Sequence, residues 1–534
     1  MTGASFATCR RTSDAVPVAA AILIFSALSL WAGLVSEGFL EADACTHYMY
    51  SRFAFAEPYR FVDVWGRPVC TALYAPGAAL FGKDGAGVTS LFVAVGIALI
   101  AYRLARRQGY TMPALAAVFT LAQPLVFTHS FSVLTELPFA LILALAFWAY
   151  RARRWAVMTI LVGLTPLSRP EGFGFLGLAA IGLVLHRRAT WLPLLLVPLA
   201  AWNHAGWELF GRQEAWWRWL PDHWPYSADS LYDRGHLLHF AALLPAVTSP
   251  FVFPAMLVGI GICVGKGRPL VDRFLLSRAR QGPGRGALSH PGPDGPGSRV
   301  ADRGEADDVH RIWCDVLIAA VPLMILVGHS VLYFLGKMAS NGELRYLLIV
   351  APFWGLLACR GWAWLSRWFV VRRPYAWATA ACLLPVLANV AYPVIPIQLD
   401  DSWQAARVAA RWAAAAAGGG GHTHLTASHP GVYYFLDVSP TDGTRTKEWN
   451  IATVRAAPPG VLAVWDSMYA MYNADGVRRV TEQDFLDAGW TRDEGAAREL
   501  ATPPAPAGSA AGWDEAFRTP SSYWCVFRSP QSVP

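Results

Sequence analysis

"VPVAAAILIFSALSLWAGLVSEGFLEAD", residues 16–43, runs twenty-one residues without a charge and then sets Glu37, Glu41 and Asp43 within seven positions. A bilayer's hydrocarbon core takes about 20 apolar residues as a helix. The stretch therefore reads as a membrane span whose far end carries carboxylates to the water boundary. Arg10 and Arg11 ahead of it give it the look of a secretory signal, but the apolar run is too long for one. Further spans downstream make it a retained anchor.

The rest of the chain agrees. Its 534 residues are 54% hydrophobic and 15% charged, with 24 tryptophans, and the mean hydropathy is +0.33. These values describe a polytopic membrane protein with an aromatic-rich interface. The net charge of +7 comes from arginines flanking apolar runs. No separate basic patch exists for nucleic acid. Apolar runs at 16–35, 87–105, 112–127, 131–150, 155–167, 172–185, 191–210, 237–264, 312–335, 346–365 and 375–397 give about eleven transmembrane helices. The fifth and sixth are short, flank "SRPEG", and form a hairpin or re-enter the membrane.

Basic residues orient the spans, since cytoplasmic loops carry the excess of Lys and Arg. Arg103, Arg106 and Arg107 share one loop, Arg151, Arg153 and Arg154 the next but one, and Arg187 and Arg188 another. The alternation puts the N-terminus in the cytoplasm and residues 37–86 and the tail outside. It is the pattern of a multi-pass protein of a plasma or inner membrane. Residues 1–399 form the membrane domain. Its inner loop at about 266–311 is rich in Gly, Pro and Arg, and reads as disordered. Beyond 400, "SWQAARVAARWAAAAAGGGG" reads as a glycine-closed helix. "HLTAS", "VLAVWD" and "YWCVFRS" read as strands, with helices around "PGVYYFL" and "TEQDFLDAG". This is a small extracytoplasmic α/β domain, 400–534. Eight cysteines show no metal spacing. Cys45 and Cys70 share one outer loop, where they either pair or stay free thiols.

The charges inside or beside these spans are the candidates for chemistry. Glu41 and Asp43 share a face only if the chain is extended, whereas in a helix Asp43 shares one with His47. A solvated loop start is the plainer reading. Arg169 and Glu171 lie between two short spans, where ions are paired or functional. Glu136 sits alone at the outer part of the fourth span and suits an interhelical hydrogen bond or a polar cavity. His329, Lys337 and Arg345 cluster near the outer ends of the ninth and tenth spans, with Glu343 beside them. Arginine there can fork onto a phosphate or snorkel to headgroups. His422, His424 and His429 lie in glycine-rich surroundings and match no ligand pattern.

Taken together, "EAD", "LTELPFALILALAFW", "LSRPEGFGFLGL" and "GELRYLLIVAPFW" follow in an order similar to that of the GT-C superfamily of membrane glycosyltransferases. The resemblance covers roughly residues 16–397. It implies a GT-C-like helical fold and transfer of a mannose-like sugar from a polyprenyl-phosphate donor to a hydroxyl on the outer face. The acceptor is a glycan, lipid or protein. Such a transfer needs a base for the acceptor and a stabiliser for the departing phosphate. Asp43 or Glu41 suits the first role, and Arg345 the second, with Arg169, Lys337 or His329. Glu136, Glu171 and His47 complete the substrate-binding set. The usual Asp-x-Asp begins here with Glu41, which leaves a divalent ion (Mg or Mn) between Glu41 and Asp43 an option beside the base role. A transporter or flippase of lipid-linked or small substrates, or a non-catalytic scaffold, is the alternative.

Overall fold

The computed structural model describes residues 3–36, 42–225, 234–280, 296–338, 340–368, 373–391, 395–399, 401–418, 424–447, 449–467, 469–471, 480–494 and 524–529. The chain divides into two compact units. One comprises residues 1–35 and 50–396, and the other 36–49 and 397–534.

The first unit is helical throughout. Four of its helices are long and apolar enough to cross a membrane, Asp14–Val35, Pro68–Arg107, Asp307–Leu335 and Leu344–Trp368, among the described residues. Shorter apolar helices cover Trp155–Leu164, Gly172–Leu185 and Phe253–Lys266. Several expected spans are broken where the sequence supplies a reason. The third divides into Ala114–Leu121 and Pro124–His129, because Pro124 has no N–H to continue the ladder. The eighth is two short turns, His239–Ala242 and Leu244–Thr248, before Phe253–Arg280.

Two expected loops are more ordered than their composition suggests. The outer segment 37–86 contains the helix Ala42–Phe53 and a 3-10 turn, Pro58–Phe61. It also holds the start of Pro68–Arg107, which kinks at Gly82, where φ is +62°. Arg60 of the turn is 1% exposed, paired with Glu57 at 2.6 Å and stacked over Tyr50. The inner segment read as disordered is helical at both described ends, because Phe253–Arg280 and Pro296–Leu335 extend beyond their apolar cores. Its centre, 281–295, lies outside the described residues.

Most of the described helices pack around a large apolar core in which small residues allow close approach, and a smaller cluster of Val62, Val64, Leu167, Trp202 and Trp219 lies apart from it. A Cβ at Gly259 would fall on the Leu357 carbonyl, and one at Gly361 on that of Ala255. The helices Phe253–Arg280 and Ala351–Trp368 thus touch backbone to backbone.

Among the described residues the second unit contains the helix Asp401–Gly418 and four strands. These are β1 (His424–Ala427), β2 (Val461–Asp466), β3 (Thr491–Arg492) and β4 (Trp524–Arg528). The sheet order is β1-β2-β4-β3, with β1 and β2 parallel and the other pairs antiparallel. Phe485 and Phe527 stack at 4.4 Å in its core. A capping box of Thr481 and Asp484 starts the helix Glu482–Asp487. Two elements escaped the sequence reading, the helix Ile451–Ala456 and the two-residue β3.

Candidate functional site

Within the first unit, Arg169, Arg345, Glu136, Glu171 and His329 come together from four separate stretches of chain. Glu136 opens the helix Glu136–Arg151, where the N-terminal dipole favours an anion, and it is fully buried. Arg169 and Glu171 sit on the tight turn joining Trp155–Leu164 to Gly172–Leu185. The short fifth and sixth spans are therefore a helical hairpin with its charges at the tip. Arg345 lies in a 3-10 segment, Leu344–Val350, that leads into Ala351–Trp368. His329 is on Pro296–Leu335.

Arg169 is the hub. Its Nη1 reaches Glu136 Oε1 at 2.5 Å and donates to Thr135 Oγ1 at 2.9 Å. Nη2 meets Glu171 Oε1 at 2.9 Å. His329 Nε2 lies 3.4 Å from the same Glu171 oxygen. Arg345 pairs with Glu343 and approaches Glu136 at 3.7 Å. Burial opposes ionisation of Glu171, but Arg169 and His329 overcome it and hold the carboxyl well below its usual range. Burial likewise works against the charge on Arg169, and Glu171 and Glu136 raise its pKa regardless.

Three carboxylates thus face two guanidiniums, and the internal Arg169–Glu171 pair weighed from sequence is present. This matters for chemistry. Among the described residues both guanidiniums are engaged by carboxylates, so any anion entering the cluster would compete with Glu136, Glu171 and Glu343 for their donors. Glu136 Oε2, buried, has no hydrogen-bond partner among the described residues, which leaves that oxygen available to a polar group of a ligand.

Tyr346 and His129 escaped the sequence reading. The Tyr346 ring lies 5.4 Å from the Arg169 guanidinium carbon and 5.9 Å from that of Arg345. It stacks on His329 at 5.0 Å and donates to Asn341 Oδ1 at 2.6 Å. His129, buried, is within electrostatic reach of Glu136 and Arg345. The neighbouring Arg345 was the signal for Tyr346. Nothing in "THSF" marked His129 as more than a loop residue.

Lys337 is exposed and lies two residues beyond the end of its helix. Asp43 and His47 belong to the second unit. Both are on the helix Ala42–Phe53, four residues apart and so on one face. Asp43 is half-buried and His47 buried. Tyr48 of that helix packs on Tyr434 at 5.7 Å. Glu41 lies outside the described residues.

Two crystal structures of ArnT from Cupriavidus metallidurans are similar to this chain. The apo structure matches with a TM-score of 0.56 and 13% identity, over 85% of this chain and 93% of that one. The structure bound to undecaprenyl phosphate matches with a TM-score of 0.53 and 14% identity over the same shares. The chain has the GT-C fold. No family model matches the sequence, and no curated protein does.

The GT-C fold accounts for a helical membrane unit with a small C-terminal sheet, as the sequence suggested. Among the described residues no group of three His, Cys, Asp or Glu side chains is placed to hold an ion. Of the Glu41–Asp43 pair, Asp43 alone is among the described residues. Both ring nitrogens of His429 face partners within the tail. Its Nδ1 accepts from the Gly431 amide at 3.0 Å and its Nε2 faces Ser402 at 3.1 Å. Cys45 and Cys70 are both free and buried, and the Cys70 thiol lies 3.3 Å from Ser168 Oγ.

Proposed function

We propose that the chain is an integral-membrane glycosyltransferase that moves a sugar, mannose-like, from a polyprenyl-phosphate donor to an acceptor hydroxyl at the outer face. The likeness to ArnT over 85% of the chain, one of whose structures holds undecaprenyl phosphate, carries this reading. The buried arginine cluster of the GT-C unit supports it, because a phosphate leaving group needs such donors.

Transfer is a single displacement with inversion. The acceptor oxygen attacks the anomeric carbon, the bond to the phosphate oxygen breaks with its electron pair, and the acceptor proton passes to a carboxylate. Asp43 is the base, held on a helix with His47 one turn away to orient it. Glu41 supports it. Arg345 receives the departing phosphate, and Arg169 shapes its partners Glu136 and Glu171 around it.

The test is purified protein in lipid, incubated with a panel of polyprenyl-phosphate sugars, wild type beside Asp43→Asn and Glu41→Gln. Turnover is expected with one lipid-linked sugar. General-base help is commonly worth about 10²–10⁴-fold, so Asp43→Asn should lose that much and Glu41→Gln less. Near-normal turnover in Asp43→Asn refutes the base assignment. Inertness of the wild type toward every donor refutes the transferase.

A further inference from the structure

The first unit also contains an open cavity of about 1110 Å³, lined by the second half of the helix Glu136–Arg151 from Leu143 to Tyr150. At 1.5 Å per residue, Tyr150 lies about 21 Å along the helix axis from Glu136. The far mouth of the cavity is therefore well away from the arginine cluster.

Its lining is sorted by polarity. The walls are apolar and aromatic, with Phe147, Phe175, Trp313 and Phe353 among them. Charged groups and imidazoles stand only at the Tyr150 end, contributed by Arg153, His186, Arg188 and His310. There Tyr150 Oη meets His186 Nε2 at 2.9 Å, and the Tyr150 and His310 rings are 5.0 Å apart. Burial, with Arg153 adding to it, pushes the His186 imidazole below its usual range. The positive charge at this mouth is thus arginine's. Arg188 is exposed. Arg153 pairs with Asp307 at 2.8 Å, both largely in solvent, and such a pair is worth little and is readily exchanged.

We propose that this cavity binds one membrane phospholipid with an anionic headgroup, its acyl chains along the aromatic walls and its phosphate at the Arg153–Arg188 mouth. An apolar body with one cationic end calls for an amphiphile of opposite charge. The volume exceeds the roughly 300–1,000 Å³ usual for a small-molecule pocket and suits a lipid chain. Three wall helices, Trp155–Leu164, Gly172–Leu185 and Asp307–Leu335, are among the apolar ones, so lipid is the surrounding solvent. Arginine supplies the forked donors a phosphate takes. This site is separate from the proposed transfer chemistry and does not depend on it. The competing occupant is the isoprenoid tail of a donor whose own phosphate sits at Arg345, which would leave no anion at Arg188.

Full-length protein is extracted from vesicles of mixed phosphatidylglycerol and phosphatidylcholine, and retained lipid is read by native mass spectrometry without any sugar donor. One phosphatidylglycerol per chain is expected, in preference to phosphatidylcholine. Arg188→Ala should weaken that preference about fivefold, the usual share of one arginine near an anionic lipid. Gly182 lines the cavity, and a Cβ there meets nothing within 4 Å. Gly182→Trp should therefore fill the space and release the lipid, whereas Gly182→Ala keeps it and reports that the helix tolerates a side chain. Equal retention of both lipids by the wild type, or an unchanged preference in Arg188→Ala, overturns the proposal. So does displacement of phosphatidylglycerol by undecaprenyl phosphate that is indifferent to Arg188. Because no transfer is measured, failure of the glycosyltransferase reading would leave these outcomes untouched.

Discussion

Arg345 pairs with Glu343, faces Glu136 at 3.7 Å and flanks the Tyr346 ring. Lysine at that position keeps the charge and loses the fork. Arg345→Lys should raise the donor KM about tenfold, the scale of one lost charge-assisted hydrogen bond, with the thermal midpoint little changed. An unchanged donor KM would leave Arg345 as an anchor to headgroups. His429 offers a pH test. Burial lowers its pKa to about 3, whereas an unfolded histidine takes up its proton near 6.5. Its folded-state depression means that its contribution is complete above about pH 6.5 and is lost as pH falls toward about 3, at up to about 1.4 kcal/mol per pH unit. Hydrogen exchange of residues 424–436 in the whole protein should accelerate from pH 7 to pH 5, beyond the intrinsic pH effect, and His429→Gln should flatten that trend. An identical trend in the variant would remove His429 as its source.

At the scale of elements, the two helices that meet through Gly259 and Gly361 are the sharpest case. Gly361→Ala drives a methyl into the Ala255 carbonyl, an overpacking that costs roughly 1–3 kcal/mol. Gly261, two residues beyond Gly259, faces open space, so Gly261→Ala is the control. A thermal midpoint in detergent should fall for the first and hold for the second. Equal midpoints would mean that the helices separate without cost. Elements like these were legible where composition speaks. The hairpin around "SRPEG", the helix before the glycines at 418–421 and the strands "HLTAS" and "VLAVWD" each carry an apolar run bounded by breakers. The helix Ala42–Phe53 was not, because its residues are polar, aromatic and small without a clean period. Of the candidate site, each charge stood out by its apolar neighbours, yet nothing in the chain said that Glu136 would meet Arg169, or that Arg345 would join them from beyond residue 300. Those meetings depend on helix packing, and packing is set by side chains far from either partner.

At the scale of the whole molecule, the alternating arginines predict opposite sides for Arg107 and the C-terminus. Reporter fusions after Arg107 and at Pro534 should signal from the cytoplasm and the exterior respectively, and matching signals would overturn the topology. The grouping of residues 36–49 with the tail has a consequence in time. Ser36 accepts a hydrogen bond from the Ile397 amide at 3.0 Å, and Tyr48 rests on Tyr434, so the helix that bears Asp43 finds these partners only when the chain is nearly complete. At a synthesis rate of about 5–20 residues per second, the roughly 390 residues between Tyr48 and Tyr434 take on the order of twenty to eighty seconds. Through that interval the ribosome holds a protein whose membrane helices are already emerging while the helix bearing Asp43 still waits for its neighbours. With Asp43 as the proposed base, a nascent chain would stay idle until it is nearly finished, and a product clipped ahead of residue 397 would remain so.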